Sequence, residues 1–108
     1  MKICISPSTQ EKNVGPGGYV EEVEMNKIAD VLCPELIRHG IQIYRIPKTM
    51  DSPTAIKNAS DAYNPDYHIA IHSNAGGGSG CEIWCANPAD ATKKGTQMAK
   101  AIYSTLHP

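Results

Sequence analysis

Apolar positions in this chain fall into short runs and helically spaced sets that alternate along its length. Residues 2–6 (KICIS) form a compact run that reads as a strand, and Pro7, which cannot donate to a ladder, ends it. Residues 8–18 are polar and glycine-rich with no period, so a long loop follows the strand. Over residues 21–39, Val23, Ile28, Val31, Leu32 and Leu36 recur at helical spacing and predict an amphipathic helix with these residues inward. Gly40 stands where a helix takes its left-handed C′ residue. Pro34 removes a backbone donor inside that pattern and is expected to kink or divide the helix.

The second half repeats the alternation. Ile41, Ile43 and Tyr44 mark a second strand, and Ser52-Pro53 supplies an N-cap and first helical residue for a short helix to residue 63. Tyr67–Ile71, bounded by Asn64-Pro65 and by glycines, reads as a buried strand. Residues 81–86 are expected to form a fourth strand, Asn87-Pro88 a turn, and residues 89–106 a last helix with Met98, Ala101, Ile102 and Leu106 inward. Strands alternating with helices predict an α/β fold with a mainly parallel sheet and helices on both faces. Residues 1–108 read as a single domain, with no internal repeat or linker.

Composition narrows the function classes. Lys and Arg number 10 against 11 Asp and Glu, with no block of like charge, which argues against nucleic acid or an anionic membrane as partner. The N-terminal MKICISPSTQ lacks the apolar core of a signal peptide, and no run is long enough to span a bilayer. Four cysteines occur without CxxC spacing. Cys81 and Cys85 on one strand would lie about 13 Å apart at ~3.3 Å per residue, beyond the reach of a disulfide. Cys4 and Cys33 fall on core elements, so buried free thiols made in a reducing compartment are expected.

The chemistry concentrates in IAIHSNAGGG, where a strand delivers His72 to its carboxyl end and a glycine loop follows. Open α/β sheets bind ligands outside the carboxyl ends of their strands. A hydrolytic zinc site needs about three protein ligands, an open position for water and a nearby carboxylate. Glu21, Glu22 and Glu24 crowd the first turn of the first long helix, where acidic side chains also complement the helix dipole. His68 lies about 13 Å from His72 by strand rise and cannot share a metal with it. Residues 76–80 lack the lysine of a phosphate loop and read as the rim of a groove.

The segment EVEMNKIADVL, with Glu22 four residues before Asn26, followed by RHGIQIYR and then by DYHIAIHSNAGGGSGCEIW, resembles the zinc-dependent N-acetylmuramoyl-L-alanine amidases. These are cell-wall hydrolases of bacterial autolysins, sporulation enzymes and clostridial phage endolysins, and the resemblance runs over the whole chain. It implies the phosphorylase/hydrolase-like architecture of that family, Zn2+ as cofactor, peptidoglycan as partner, and cleavage of the amide between muramic acid and L-alanine. It makes Glu22 and His72 metal ligands and sets Asn74, Gly76 and Gly77 along the substrate groove. It also implies synthesis in a bacterial cytoplasm and action on the wall after release.

Two departures accompany the resemblance. The family carries a histidine soon after the first strand, where this chain reads SPSTQEKN and places Thr9, a poor ligand. Gln10, through its carbonyl oxygen, or Glu11, through its carboxylate, are the replacements to consider. The family's catalytic glutamate lies on a later strand, beyond residue 108, so the expectation is a domain lacking its last elements, with Glu82 as a weak substitute base and a homo-oligomer as one way to complete the sheet. A non-catalytic cell-wall-binding relative is the rival reading. A nucleotide-binding α/β protein rests on architecture alone.

Overall fold

The computed structural model describes residues 1–73 and 79–106. Two compact units divide the chain, Met1–Ser73 and Asn74–Pro108, and each is described by itself.

The first unit is built on β1 (Lys2–Pro7), whose residues from Ile3 to Pro7 are all buried. A two-residue β2 (Val14–Gly15) and β3 (Tyr19–Val20) pair antiparallel within the long loop. Helix α1 (Glu21–Arg38), β4 (Gln42–Arg45), α2 (Pro53–Tyr63) and β5 (Tyr67–Ile71) follow. The sheet order is β4-β1-β5, with both pairings parallel, Ile3 opposite Ile43 and Tyr67, and Pro7 opposite Ile71. The expected α/β class and parallel sheet are therefore present. Central β1 is enclosed because each of its faces meets a different set of partners. Ile3 and Ile5 join Ala29 and Cys33 of α1, with Leu32, Leu36, Ile43, Ile69 and Ile71 packed around them. On the alternate positions, Ser6 Oγ lies 2.7 Å from His68 Nε2, and His68 Nδ1 lies 2.8 Å from Ser60 Oγ on α2. Burial lowers the His68 pKa from its ordinary value against the opposing pull of Asp61, and burial raises that of the Cys4 thiol.

Helix α1 is a single element, not divided at exposed Pro34, and its inward face corrects the expected one. A proline inside a helix costs about 3 kcal/mol, and the core residues on both sides of it, Ala29 and Cys33 before and Leu36 after, offset that cost. The inward stripe is Met25, Ala29, Leu32, Cys33 and Leu36, whereas Val23, Ile28 and Val31 are exposed, Val31 at 71%. Small Ala29 and Cys33 let the helix approach β1 closely, which bulkier Val and Ile at those positions would prevent. Arg45 fastens the other side, its Nη1 on Asp30 Oδ1 at 2.7 Å and its Nη2 on Asn26 Oδ1 at 2.9 Å.

The caps follow the sequence closely. Gly40 follows α1 at φ 84°, Ser52 Oγ accepts the Ala55 N–H at 3.3 Å, and α2 closes on Asn64 in the left-handed conformation. Strand β5 has the predicted bounds but alternates half-buried with exposed positions and is not fully buried. It ends the strand order, so only Tyr67, Ile69 and Ile71 reach the core.

In the second unit, residues 81–86 form no strand. The segment is held as a loop by local contacts: Thr96 Oγ1 donates to the Asn87 carbonyl at 2.6 Å and lies 3.7 Å from Cys85 Sγ. Apolar residues on both parities, Ile83 and Trp84, leave neither face of a strand marked for a core, and Trp84 is 84% exposed. Helix α3 (Lys94–Leu106) starts five residues later than expected. The Asp90 carboxylate accepts both the N–H and the hydroxyl of Thr92, at 3.0 and 2.6 Å, and that local turn competes with helix. Met98 and Ile102 are half-buried as expected, but Ala101 and Leu106 are exposed. All four cysteines are free, with Cys4 and Cys33 buried. Among the described residues, no helix is long and apolar enough to cross a membrane.

Ile5 is fully buried at the centre of this arrangement. Ile5→Ala should lower unfolding free energy by about 2–5 kcal/mol, whereas Val31→Ala should stay within about 0.5 kcal/mol. Urea unfolding of the two variants checks the contrast.

Candidate functional site

The carboxyl ends of β1 and β5 lie side by side, because the Ser8 N–H donates to the Ile71 carbonyl at 2.9 Å just beyond the last register pair. Ser8 leaves β1 there, and His72 and Ser73 leave β5. Glu21, the first residue of α1, is brought to the same edge by its own N–H, which donates to the Asn13 carbonyl at 2.9 Å. A four-residue period, Glu21, Met25, Ala29, Cys33, puts its side chain on the inward face of α1.

Glu21 is 1% exposed, a carboxylate almost wholly removed from water. Its Oε1 accepts the Ser73 N–H and the Ser73 hydroxyl, each at 2.9 Å, and its Oε2 accepts the Ser8 hydroxyl. Tyr19 donates its hydroxyl to Ser73 Oγ at 2.6 Å. Oε2 also lies 3.6 Å from His72 Nδ1, too long for a hydrogen bond. Burial pushes the Glu21 pKa up, but the donors from Ser8 and Ser73 and the neighbouring His72 together outweigh it, and the net direction is down. The positive end of α1 favours the same anion.

The sequence-based candidates are placed as follows. His72 stands at the strand end, its side chain half-exposed, in contact with Glu21. Glu22 is half-buried in the first turn, and its carbonyl accepts Asn26 Nδ2 at 2.7 Å. Gln10 is exposed, its N–H donating to Ser8 Oγ at 3.2 Å, while the Thr9 carbonyl accepts the Glu11 N–H at 3.0 Å. Asn74, Gly76 and Gly77 lie outside the described residues. Glu82 is exposed in the second unit. Glu21, Ser8, Ser73 and Tyr19 were not singled out by the sequence reading. The period that places Glu21 in line with Met25, Ala29 and Cys33 is the signal that identifies it.

The first unit is thus α/β, with a buried glutamate facing a histidine at the carboxyl edge of a parallel sheet. The family model for N-acetylmuramoyl-L-alanine amidase matches residues 3–107, and the chain belongs to that family. No curated protein and no solved structure matches it.

The family is associated with zinc. Among the described residues, no group of three or more His, Cys, Asp or Glu side chains could hold one ion. Glu21 and His72 supply two donors, one fewer than the three a hydrolytic zinc site takes. Two donors bonded to one tetrahedral zinc at about 2.0–2.1 Å stand about 3.4 Å apart, close to the 3.6 Å between Oε2 and Nδ1.

The lowered Glu21 pKa sets a pH dependence. A carboxyl lower in the folded than in the unfolded state contributes stability that is whole above the ordinary glutamate value, about 4.3, and is lost as pH falls through the folded value. Metal-free protein should therefore lose stability on acidification below that point. Glu21→Gln should blunt this loss and cost about 1–3 kcal/mol at pH 7, read from urea midpoints across the pH range. His68 acts in the same sense but at higher pH, below about 6.5, so the two contributions separate.

Proposed function

We propose that this chain hydrolyses the amide between the muramic acid lactyl group and L-alanine of peptidoglycan, with zinc held at the strand edge by Glu21 and His72. The observation that carries the reading is the buried Glu21 carboxylate facing His72 Nδ1 at 3.6 Å, in a chain of the amidase family. Zinc, when bound, polarises an amide carbonyl and lowers the pKa of water. Glu21 contributes a fixed negative charge that is already desolvated, and half-exposed His72 opens the pair toward solvent, where a substrate enters. Glu22, the glutamate the sequence resemblance favours, lies one position around the helix, and Gln10 is the further oxygen donor to test. In this reading the wall is reached after release from the cell that makes the protein.

A second reading, a cell-wall-binding relative without catalysis, is favoured by the donor set. Just past β1 the chain has Thr9 where the family pattern has histidine, and two protein donors hold zinc weakly. Completion of the sheet by a second copy belongs to either reading.

Zinc titration and metal analysis test the assignment. Wild type should take up one equivalent, His72→Ala and Glu21→Ala should each weaken binding by more than about 100-fold, and Glu22→Ala should leave it nearly unchanged. Stoichiometric zinc retained by both of the first two variants would overturn the site. Incubation with purified cell walls should release new L-alanine amino termini; pelleting with the walls without release would favour the second reading.

A further inference from the structure

Helix α1 is apolar on two faces. One packs on β1 through Ala29 and Cys33; the other carries Ile28 at 47% and Val31 at 71% exposure and is no part of the core. Glu24, Ile28, Val31, Glu35 and Arg38 follow one another at alternating steps of four and three residues, with Lys27 beside Ile28, and that period keeps them along one line of a helix. Between this line and the core face runs an open groove lined by Met25, Ile28, Val31 and Leu32, a seat for an apolar side chain of an opposing helix. The charges on the line are ordered. Glu24 and Lys27 pair at 3.2 Å toward its start, and Glu35 and Arg38 pair at 2.6 Å toward its end. Lys27 and Glu35 stand four residues either side of Val31, and Glu24 and Arg38 stand seven, each couple opposite in sign.

We propose that a second copy of this chain docks on this face, α1 against α1 in antiparallel orientation, with the two Val31 side chains meeting at the two-fold axis. A two-fold contact uses the same patch of both copies, so the patch must complement itself. Turned end for end, it does: Lys27 comes level with Glu35 of the second copy and Glu24 with Arg38, and each pair within a helix extends into an alternating row of four charges. A parallel pairing sets Lys27 against Lys27 and Glu35 against Glu35 and is repelled. Charge order therefore selects the occupant and its orientation, while Ile28 and Val31 supply the apolar contact. From Glu24 to Arg38 the face is about 21 Å long at 1.5 Å per residue and buries less than the ~800 Å² per partner of a standard interface. The association is accordingly weak, with a dissociation constant on the order of 100 µM. It leaves the edges of β4 and β5 free and so differs from completion of the sheet. The Glu21 strand edges of the two copies fall at opposite ends of the paired helices, about 30 Å apart along the axis.

The test is sedimentation equilibrium of the full chain over about 5–500 µM, with far-ultraviolet circular dichroism to verify that each variant keeps its helices. Wild type should pass from one chain toward two across this range, and less so as salt rises, because the charge rows are solvent-exposed and screened. Val31→Asp, at an exposed position the core does not use, places two like charges at the axis and should weaken association by more than about 10-fold. Lys27→Glu turns both cross-helix couples into like charges and should weaken it by about 10-fold. Adding Glu35→Lys to Lys27→Glu reverses both members of each couple and should bring association back to within about threefold of wild type. A wild type that stays a single chain over the whole range overturns the proposal. So does association that survives Val31→Asp, which would run through another surface such as a sheet edge, and so does a double variant no more associated than Lys27→Glu. Zinc binding at Glu21 and His72 is read by separate titration, and failure of either proposal leaves the other standing.

Discussion

A carboxylate taken out of water must find donors in the protein, and Glu21, 1% exposed, finds them at the ends of two neighbouring strands. Desolvating an anion without partners costs several kcal/mol, so this side chain fixes the strand ends against the start of α1, adding a polar tie to elements the apolar core already packs together. Ser8 is held in place by its backbone bond to Ile71, Ser73 by its position two residues beyond that strand, and Glu21 by the bond from its N–H to Asn13. If β1 and β5 shifted by one residue, the parity of every side chain would invert, and Ser8 and Ser73 would no longer flank the carboxylate. Register and site are therefore set together. The parallel pairing that buries Ile3 and Ile5 is also the pairing that satisfies Glu21.

Fold was largely legible in the sequence where local chemistry and pattern agreed. Pro7, Ser52-Pro53, Asn64 and Gly40 each have a specific backbone role, and the elements they bound appear with nearly the predicted limits. Legibility failed where burial depended on size as well as hydrophobicity. Val23, Ile28 and Val31 are the obvious apolar residues of α1, yet they face solvent, because Ala29 and Cys33 are the residues small enough to lie against β1. That same misreading hid Glu21. With the stripe centred on Met25, Ala29 and Cys33, Glu21 is its natural extension, whereas a stripe centred on Val23, Ile28 and Val31 gives Glu21 no reason to be inside. In the second unit, residues 81–86 had strand composition but no one-sided alternation, and the Asp90–Thr92 turn replaced the first predicted turn of helix. His72 was found because its place at a strand end is visible in sequence; its partner Glu21 lies 51 positions earlier and is visible only once the fold brings the start of α1 to that strand end.

The pairing also bears on how so small a donor set could serve a metal. Binding costs less when the groups that bind are already ordered. Glu21 meets that condition, since both of its oxygens are engaged and its rotamer is locked between α1 and two strand ends. His72 does not to the same degree, its side chain being half-exposed. The asymmetry makes the carboxylate the fixed reference of the site and the imidazole its adjustable member. A histidine in place of Thr9 would have added a third donor; Ser8 beside it spends its hydroxyl on Glu21. The strand end thus orients a buried carboxylate beside Thr9, the position at which the family pattern has its histidine.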